Sequence, residues 1–181
     1  MGKIYLITFF ILGSIMGSFY HVLATRLSKS GSIIKPSSHC ENCNHQLKWY
    51  ELIPILSYII QKGRCRKCHT KLPLSYILIE ICTGILFAVC YHVFGFSLKL
   101  IEALIFVSSL IIIIVSDIEY MIILDEVLVF ASFGIIILKI IDVGLYEAAL
   151  NVAAGLGAFL TMILIKKIGD IMFKQESLGG G

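Results

Sequence analysis

The chain has 181 residues, of which 58% are hydrophobic and 15% are charged, with a formal net charge of +3 and a mean hydropathy of +0.93. Soluble domains carry about 25% charged residues, so this composition excludes an ordinary soluble enzyme or binding domain. The chain is expected to lie in a membrane.

Five apolar runs are long enough to cross a bilayer, which takes about 20 residues. They predict an all-α polytopic membrane protein with about five transmembrane helices. Buried core helices are the alternative, but five such runs leave too little polar chain to surround a soluble core. The runs are Ile4 to Ala24, Tyr76 to Phe94, Leu98 to Ser116, Ile122 to Ile141 and Tyr146 to Ile165.

The first run could pass for a secretory signal peptide. Its length exceeds the usual apolar core of about 7 to 15 residues in such peptides. Residues 1–24 are therefore predicted to be a retained first transmembrane helix.

Residues 25–75 form a basic loop that holds nine of the fifteen Lys and Arg residues and only two acids, Glu41 and Glu51. Basic loops stay in the cytoplasm, which predicts a cytosolic loop, an external N-terminus and a place in the inner (cytoplasmic) membrane. Nucleic-acid binding is the other meaning of a basic loop. A helix on each side and the lack of interleaved aromatic residues do not favour it, so the lipid bilayer is the expected partner and nucleic acid is not.

The same loop carries two Cys-x-x-Cys pairs, Cys40 with Cys43 and Cys65 with Cys68, separated by 21 residues. Each pair forms a tight turn that directs two thiolates to one side, and two such turns supply the tetrahedral sulfur set that zinc prefers. Disulfides are the alternative, but a reducing cytoplasm disfavours them. The loop is therefore predicted to be a small zinc-ribbon-like domain. The nearby His39, His45 and His69 are expected to be bystanders.

The segment between the two cysteine pairs, Leu47 to Cys65, contains the only tryptophan and an apolar stretch too short to span a bilayer. Aromatic residues favour the membrane–water interface. We expect Trp49, Tyr50, Leu52 and their apolar neighbours to pack the small domain against the membrane surface.

An acidic residue in a membrane helix costs on the order of 3 kcal/mol or more unless it is paired or hydrated. Asp117 closes the run "SLIIIIVSD" at the predicted cytoplasmic end, where water and a substrate backbone could both reach it. Standing alone, such a carboxylate is more often an interfacial anchor than a catalyst.

Four motifs follow one another along the chain: "GSFYHVLATRL", the double Cys-x-x-Cys loop, "LIEICTG" and "SDIEYMIILDEV". Together they resemble the type IV prepilin leader peptidase family, including its competence-system members. The resemblance implies a polytopic aspartic endopeptidase with a cytosolic cysteine domain. Such an enzyme removes a short basic leader from type IV prepilin or pseudopilin precursors, and many members then N-methylate the new terminus with S-adenosylmethionine.

The resemblance assigns Asp117 as the first catalytic residue, with Asp125 eight residues later as a residue that shapes the site. The chain departs from the family pattern at a few positions. His21 stands where asparagine is common, and Leu124 replaces the proline before Asp125. These departures bear more on methylation than on membership of the family.

The family's second aspartate follows a Gly-x-Gly segment at the cytosolic end of a later helix. Gly179, Gly180 and Gly181 match the first three positions of that motif, and the sequence stops where the aspartate is expected. Residues 76–181 are therefore expected to be an incomplete aspartic peptidase membrane domain, inactive in this form. A purification scar is the alternative meaning of the glycine tail, and Asp170 lacks the glycine pattern.

Two other functions stay open on the sequence alone. The chain could be a non-catalytic zinc-binding membrane adaptor, which needs only the cysteine domain and the helices. It could also be a small transporter that uses Glu80 and Asp117 as an ion path.

Overall fold

A computed structural model describes residues 2–29, 31, 37–40 and 42–173, and these residues are mainly helical. The glycines Gly179, Gly180 and Gly181 lie outside them. The helices are α1 (Gly2–Ser28), a short 3₁₀ helix (Trp49–Leu52), α2 (Leu56–Ile60), α3 (Leu74–Phe94), α4 (Leu98–Tyr120), α5 (Asp125–Val143) and α6 (Leu145–Phe173).

Among the described residues, four helices are long and apolar enough to cross a membrane: α1, α3, α4 and residues Leu145–Met172 of α6. They confirm a polytopic helical membrane protein. The fifth predicted run forms α5, which differs from the other four in its charge. Asp125 and Glu126 begin it, and Lys139 and Asp142 lie near its end, so its uncharged part is shorter than a bilayer requires. Whether α5 crosses the membrane stays a prediction.

The described residues form two compact units, one up to Ala131 and the other from Ser132 onward. In the first, α1 packs closely against α3 through small residues. Gly13 and Gly17 are four apart on α1, and a Cβ added to either would come within 3.0 Å of Thr83 on α3. Small residues at this spacing let two membrane helices approach closely, which increases their van der Waals contact.

The relative directions of these helices follow from their aromatic and polar contacts. Tyr5 and Phe9 near the start of α1 contact Tyr91 near the end of α3, with ring centroids 5.8 and 4.7 Å away. His21, near the end of α1, contacts Tyr76 near the start of α3. The two helices are therefore antiparallel.

Helix α4 completes the bundle of the first unit. Its buried residues Ile111, Ile112 and Val115 join a core cluster that also includes Tyr20 of α1 and Phe87 of α3. Leu124, just after α4, belongs to the same core. The core lies along the half of α4 that leads to Asp117, so packing holds this end of the helix in place.

The second unit contains α6 and most of α5. Gly144 separates the two helices with a φ of +87°, a backbone conformation that glycine adopts without strain. Most side chains of α6 are apolar and exposed, with Ala148 a buried exception. An apolar exposed surface of this kind suits a helix surrounded by lipid.

Candidate functional site

The two cysteine pairs form turns of the same kind. In each turn the main-chain N–H of the first cysteine donates to the carbonyl five residues later, and its carbonyl accepts from the N–H four residues later. The residue four positions after the first cysteine has a positive φ, 52° at Asn44 and 57° at His69. The repeated bonds are Cys40 N to His45 O (2.9 Å), Asn44 N to Cys40 O (2.8 Å), Cys65 N to Thr70 O (2.9 Å) and His69 N to Cys65 O (2.9 Å).

These turns bring the four sulfur atoms together, all within 4.8 Å of one another. Cys40 Sγ lies 3.7 Å from Cys68 Sγ, and Cys43 Sγ lies 3.9 Å from Cys65 Sγ. A tetrahedral zinc with sulfur ligands at about 2.3 Å requires sulfur atoms about 3.8 Å apart. All four cysteines are free thiols, so the geometry fits a tetrahedral metal ion and does not fit a disulfide.

Two of the four thiols have strongly perturbed acidities. The hydroxyl of Thr70, 3.3 Å from Cys68 Sγ, lowers the pKa of Cys68 to about 5. The main chain of His45 acts to lower the pKa of Cys43, but desolvation and hydrogen bonds from the other three cysteines outweigh it and raise that pKa to about 11. The four thiols thus form a set of interacting groups, and a metal ion would displace the protons that they hold.

The flanking histidines make contacts outside the cysteine cluster. His39 Nδ1 lies 2.9 Å from the carbonyl oxygen of Ser37. His45 Nε2 lies 3.5 Å from Glu51 Oε2, whose side chain is buried. Whether these histidines stay outside the metal's ligand set remains a prediction.

Asp117 lies in the last turn of α4 with an exposed side chain, directly after the fully buried Ser116. The helix ends at Tyr120, and Met121 stops it by adopting the left-handed conformation while its N–H bonds to the carbonyl of Asp117. Asp125 is the first residue of α5 and is also exposed. The two carboxylates thus border one short turn.

A partly buried polar pair that the sequence reasoning missed, the buried His21 with the more exposed Glu119, lies beside Asp117. His21 Nε2 of α1 lies 2.8 Å from Glu119 Oε1 of α4, and the His21 ring packs against Tyr76 of α3 at a centroid distance of 4.2 Å. The pair joins the three helices two residues from Asp117. Membrane helices seldom carry polar residues without a partner, and this rule was the signal that could have paired His21 with an acid.

Glu80 makes a second polar contact that the sequence did not predict. Its side chain is buried on α3, and Oε2 accepts a hydrogen bond of 2.6 Å from the main-chain N–H of Ile55. This contact ties the cysteine-rich loop to a membrane helix. It accounts for a buried carboxylate at position 80 without the ion path considered above.

Comparisons with known proteins agree with these features. Residues 11–94 match the Bacterial Peptidase A24 N-terminal domain. A Bacillus subtilis protein named "Prepilin leader peptidase/N-methyltransferase" is 39% identical over 174 residues, which cover 95% of this chain and 67% of the relative. The chain belongs to the prepilin leader peptidase family. No solved structure matches it.

Other relatives with the same name show how much of a family member this chain covers. The Myxococcus xanthus protein is 34% identical over 181 residues, which are 99% of this chain and 53% of that relative. The Vibrio cholerae protein is 25% identical over 192 residues, covering all of this chain and 74% of that relative. The chain therefore spans between about half and three quarters of these prepilin leader peptidase relatives.

The family match covers most of the features described above. Residues 11–94 include the four cysteines, His21, Glu80 and most of the close contact between α1 and α3. Asp117 and Asp125 lie beyond them, within the longer alignments to the Bacillus and Myxococcus relatives, which cover nearly the whole chain. The roles of these two aspartates in a prepilin leader peptidase remain predictions.

Proposed function

We propose that the chain carries the Asp117 half of the catalytic site of a prepilin leader peptidase, a membrane aspartic endopeptidase that cleaves the leader from type IV prepilin or pseudopilin precursors at the cytosolic face. The observation that carries the proposal is the 39% identity to the Bacillus relative over nearly the whole chain. The exposed carboxylate of Asp117 at the end of a membrane-spanning helix supports it, because a peptidase at this face needs an acid that both water and substrate can reach.

Asp117 supplies one of two carboxylates in the proposed reaction. Two carboxylates held close together cannot both ionise, so they share a proton. The ionised group takes a proton from the attacking water, and the protonated group polarises the scissile carbonyl and then protonates the leaving amine. In the family pattern the second carboxylate follows a Gly-x-Gly segment, which Gly179, Gly180 and Gly181 match. Asp125 shapes the entrance from the other side of the α4–α5 turn.

The metal of the cysteine cluster is zinc in this proposal, held by Cys40, Cys43, Cys65 and Cys68. Sulfur spacings of 3.7 and 3.9 Å support this choice. Four protein ligands leave no open coordination position, so the zinc stabilises the fold of the domain and takes no part in hydrolysis. The domain is anchored to α3 through Ile55 and Glu80, so the metal keeps the loop ordered at the end of the bundle that carries Asp117.

N-methylation by S-adenosylmethionine is a second candidate activity, suggested by the names of the relatives. The described residues give it less support. A cavity of about 300 Å³ in the α5–α6 hairpin is lined by side chains such as Ile136, Leu145 and Val152. It has no charged lining group to hold the amino acid part of the cofactor, so we derive no step through S-adenosylmethionine.

The orientation proposed for the chain places the N-terminus outside the cell and the cysteine loop in the cytosol, within the inner membrane. The strongly basic loop supports this orientation. The His21–Glu119 pair lies at the end of the bundle where α1 enters that loop. Asp117 is therefore on the same side of the membrane as the cysteine domain.

Asp117→Asn tests the proposed activity. We would assay it in a chimera that joins this chain to the C-terminal remainder of the Bacillus relative, with a prepilin-like peptide and mass spectrometry of the products. Loss of a catalytic acid or base should lower cleavage about 10²-fold to 10⁴-fold. Asp125→Asn should only reduce cleavage, and Asp142→Asn, an exposed acid near the far end of α5, should leave it unchanged.

Three results would separate the possible functions. Full activity in Asp117→Asn would refute the catalytic assignment. A parent chimera that binds zinc and is stably folded but never cleaves would favour the adaptor. Ion flux through proteoliposomes that depends on Asp117 would favour the transporter.

A further inference from the structure

The cysteine domain exposes an apolar face of its own. The 3₁₀ helix and α2 present Trp49, Leu52, Leu56, Ile59 and Ile60, of which Trp49 is 77% exposed and Ile60 is 74% exposed. The domain does not bury these apolar side chains in its own interior, so they remain accessible on its surface. Large exposed apolar groups of this kind mark an interaction surface.

The contact between Ile55 and Glu80 fixes where this face lies along the membrane helix. Ile55 directly precedes α2, and its N–H bonds to Glu80 of α3. Glu80 is six residues after Leu74, which places the contact about 9 Å along the helix from its first residue. Because α3 is only about as long as the hydrocarbon core is thick, Leu74 lies near the membrane boundary, and the Ile55–Glu80 contact next to the apolar face lies about 9 Å to the membrane side of it. Leu74 and Leu78 are also exposed on this part of α3.

Positive charge surrounds the same face. Lys48 Nζ lies 6.0 Å and the Arg66 guanidinium 5.3 Å from the ring centroid of Tyr50, which follows Trp49. Arg64, Arg66, Gln61 and His69 line a cavity of about 150 Å³, whose remaining lining residues include Ile60 of the apolar face. The cavity has the volume of about five waters, and its lining also includes Cys65 of the cysteine cluster.

We propose that residues 49–60 insert into the membrane interface and that the Arg64–Arg66 cavity binds the phosphate of an anionic phospholipid. Apolar side chains beside cations, held next to a membrane-spanning helix, match the two parts of such a lipid. A second copy of this chain fits less well, because a symmetric contact would bring two basic cavities together. The inference concerns the lipid bilayer and stands or falls independently of the proposed peptidase activity.

Trp49 reports directly on this proposal because it is the only tryptophan in the chain. We would reconstitute the zinc-loaded protein in mixed vesicles of phosphatidylcholine and phosphatidylglycerol. Two samples are compared, one with brominated phosphatidylcholine and one with brominated phosphatidylglycerol. Both have the same total bromine content, and the bromine lies near the glycerol end of the acyl chains. Insertion predicts that brominated lipid quenches Trp49 fluorescence about two-fold or more and that acrylamide in the buffer quenches it weakly, since the indole lies in the interface. The double variant Trp49→Phe/Phe96→Trp provides a positive control. It moves the only tryptophan to position 96, an exposed site just beyond the opposite end of α3, where brominated lipid should also quench it.

The lipid specificity is tested by comparing the two brominated lipids. Brominated phosphatidylglycerol should quench more strongly than brominated phosphatidylcholine, and this preference should disappear in Arg64→Gln/Arg66→Gln while zinc content is unchanged. Efficient quenching by acrylamide with none by either lipid would overturn insertion. Equal quenching by the two lipids would overturn the phosphate site. Quenching that falls as the protein is diluted into lipid would assign the face to a second copy and overturn the proposal.

Discussion

Replacing Gly13 by alanine tests the close packing of α1 against α3, on which the geometry of the site depends. An added Cβ at this position would lie 2.6 Å from Thr83 O, 2.8 Å from Phe87 Cβ and 2.9 Å from Gly84 Cα. Two of these atoms belong to the backbone, so a change of rotamer cannot relieve the overlap. The first distance is about 0.8 Å shorter than an ordinary contact of about 3.4 Å, and the two helices must separate by a comparable amount.

The expected cost follows from two opposing effects. Overpacking of a tight interior costs about 1 to 3 kcal/mol, whereas replacing a helical glycine by alanine gains about 0.5 to 1 kcal/mol. Gly155→Ala in α6 provides a matched control, because an added Cβ there meets no atom within 4 Å. The difference in stability between the two variants should therefore equal the overpacking cost, about 1 to 3 kcal/mol.

Thermal unfolding in detergent, followed by far-UV circular dichroism on zinc-loaded protein, measures this difference. A chain of this size loses about 2 to 4 °C in Tm for each kcal/mol. Gly13→Ala should thus unfold about 2 to 12 °C below Gly155→Ala. A Gly13→Ala protein as stable as Gly155→Ala would show that α1 and α3 do not pack as closely as the structure has them, and the His21–Glu119 geometry would lose its support.

Two further predictions concern the metal and the orientation. Purified protein should contain one zinc per chain, and Cys43→Ser should lower both the zinc content and the Tm. Cys82→Ser, which replaces an exposed thiol of α3, should change neither. Zinc-free protein with an unchanged Tm would contradict the zinc site. Reporter domains would be fused after Ser38, Gly95, Tyr120 and Gly144. They should lie inside, outside, inside and outside the cell, in that order. An external signal at Ser38 would reverse the proposed orientation.

Local sequence patterns predicted the helices and the cysteine cluster well. A hydropathic run of about 20 residues is a strong signal for a membrane helix, and the Cys-x-x-Cys spacing fixes the shape of each turn because only four or five residues are involved. The sequence patterns predicted the ends of the helices less accurately. Helix α1 continues to Ser28 rather than ending at Ala24, since the polar residues that leave the membrane can still continue a helix.

Contacts between distant segments were not predictable from such patterns. The His21–Glu119 and Ile55–Glu80 contacts join residues 98 and 25 positions apart, and they depend on how each helix is rotated against its neighbours. The four-residue spacing of Gly13 and Gly17 was a usable signal for the face of α1 that meets another helix. It does not specify which helix that is, so the polar pairing still required the structure.

The rotation of α4 relates the His21–Glu119 pair to the proposed catalytic residue. Successive residues of an α-helix are about 100° apart, so Glu119 and Asp117 point about 160° away from each other. Glu119 contacts His21 of α1, so Asp117 points away from that contact, and both acidic residues are exposed. In the proposed reaction, the carboxylate that shares a proton with Asp117 is therefore expected to approach from the side of α4 that faces away from His21. The His21–Glu119 pair ties the end of α4 to α1 and leaves the Asp117 side chain accessible on the other side of the helix.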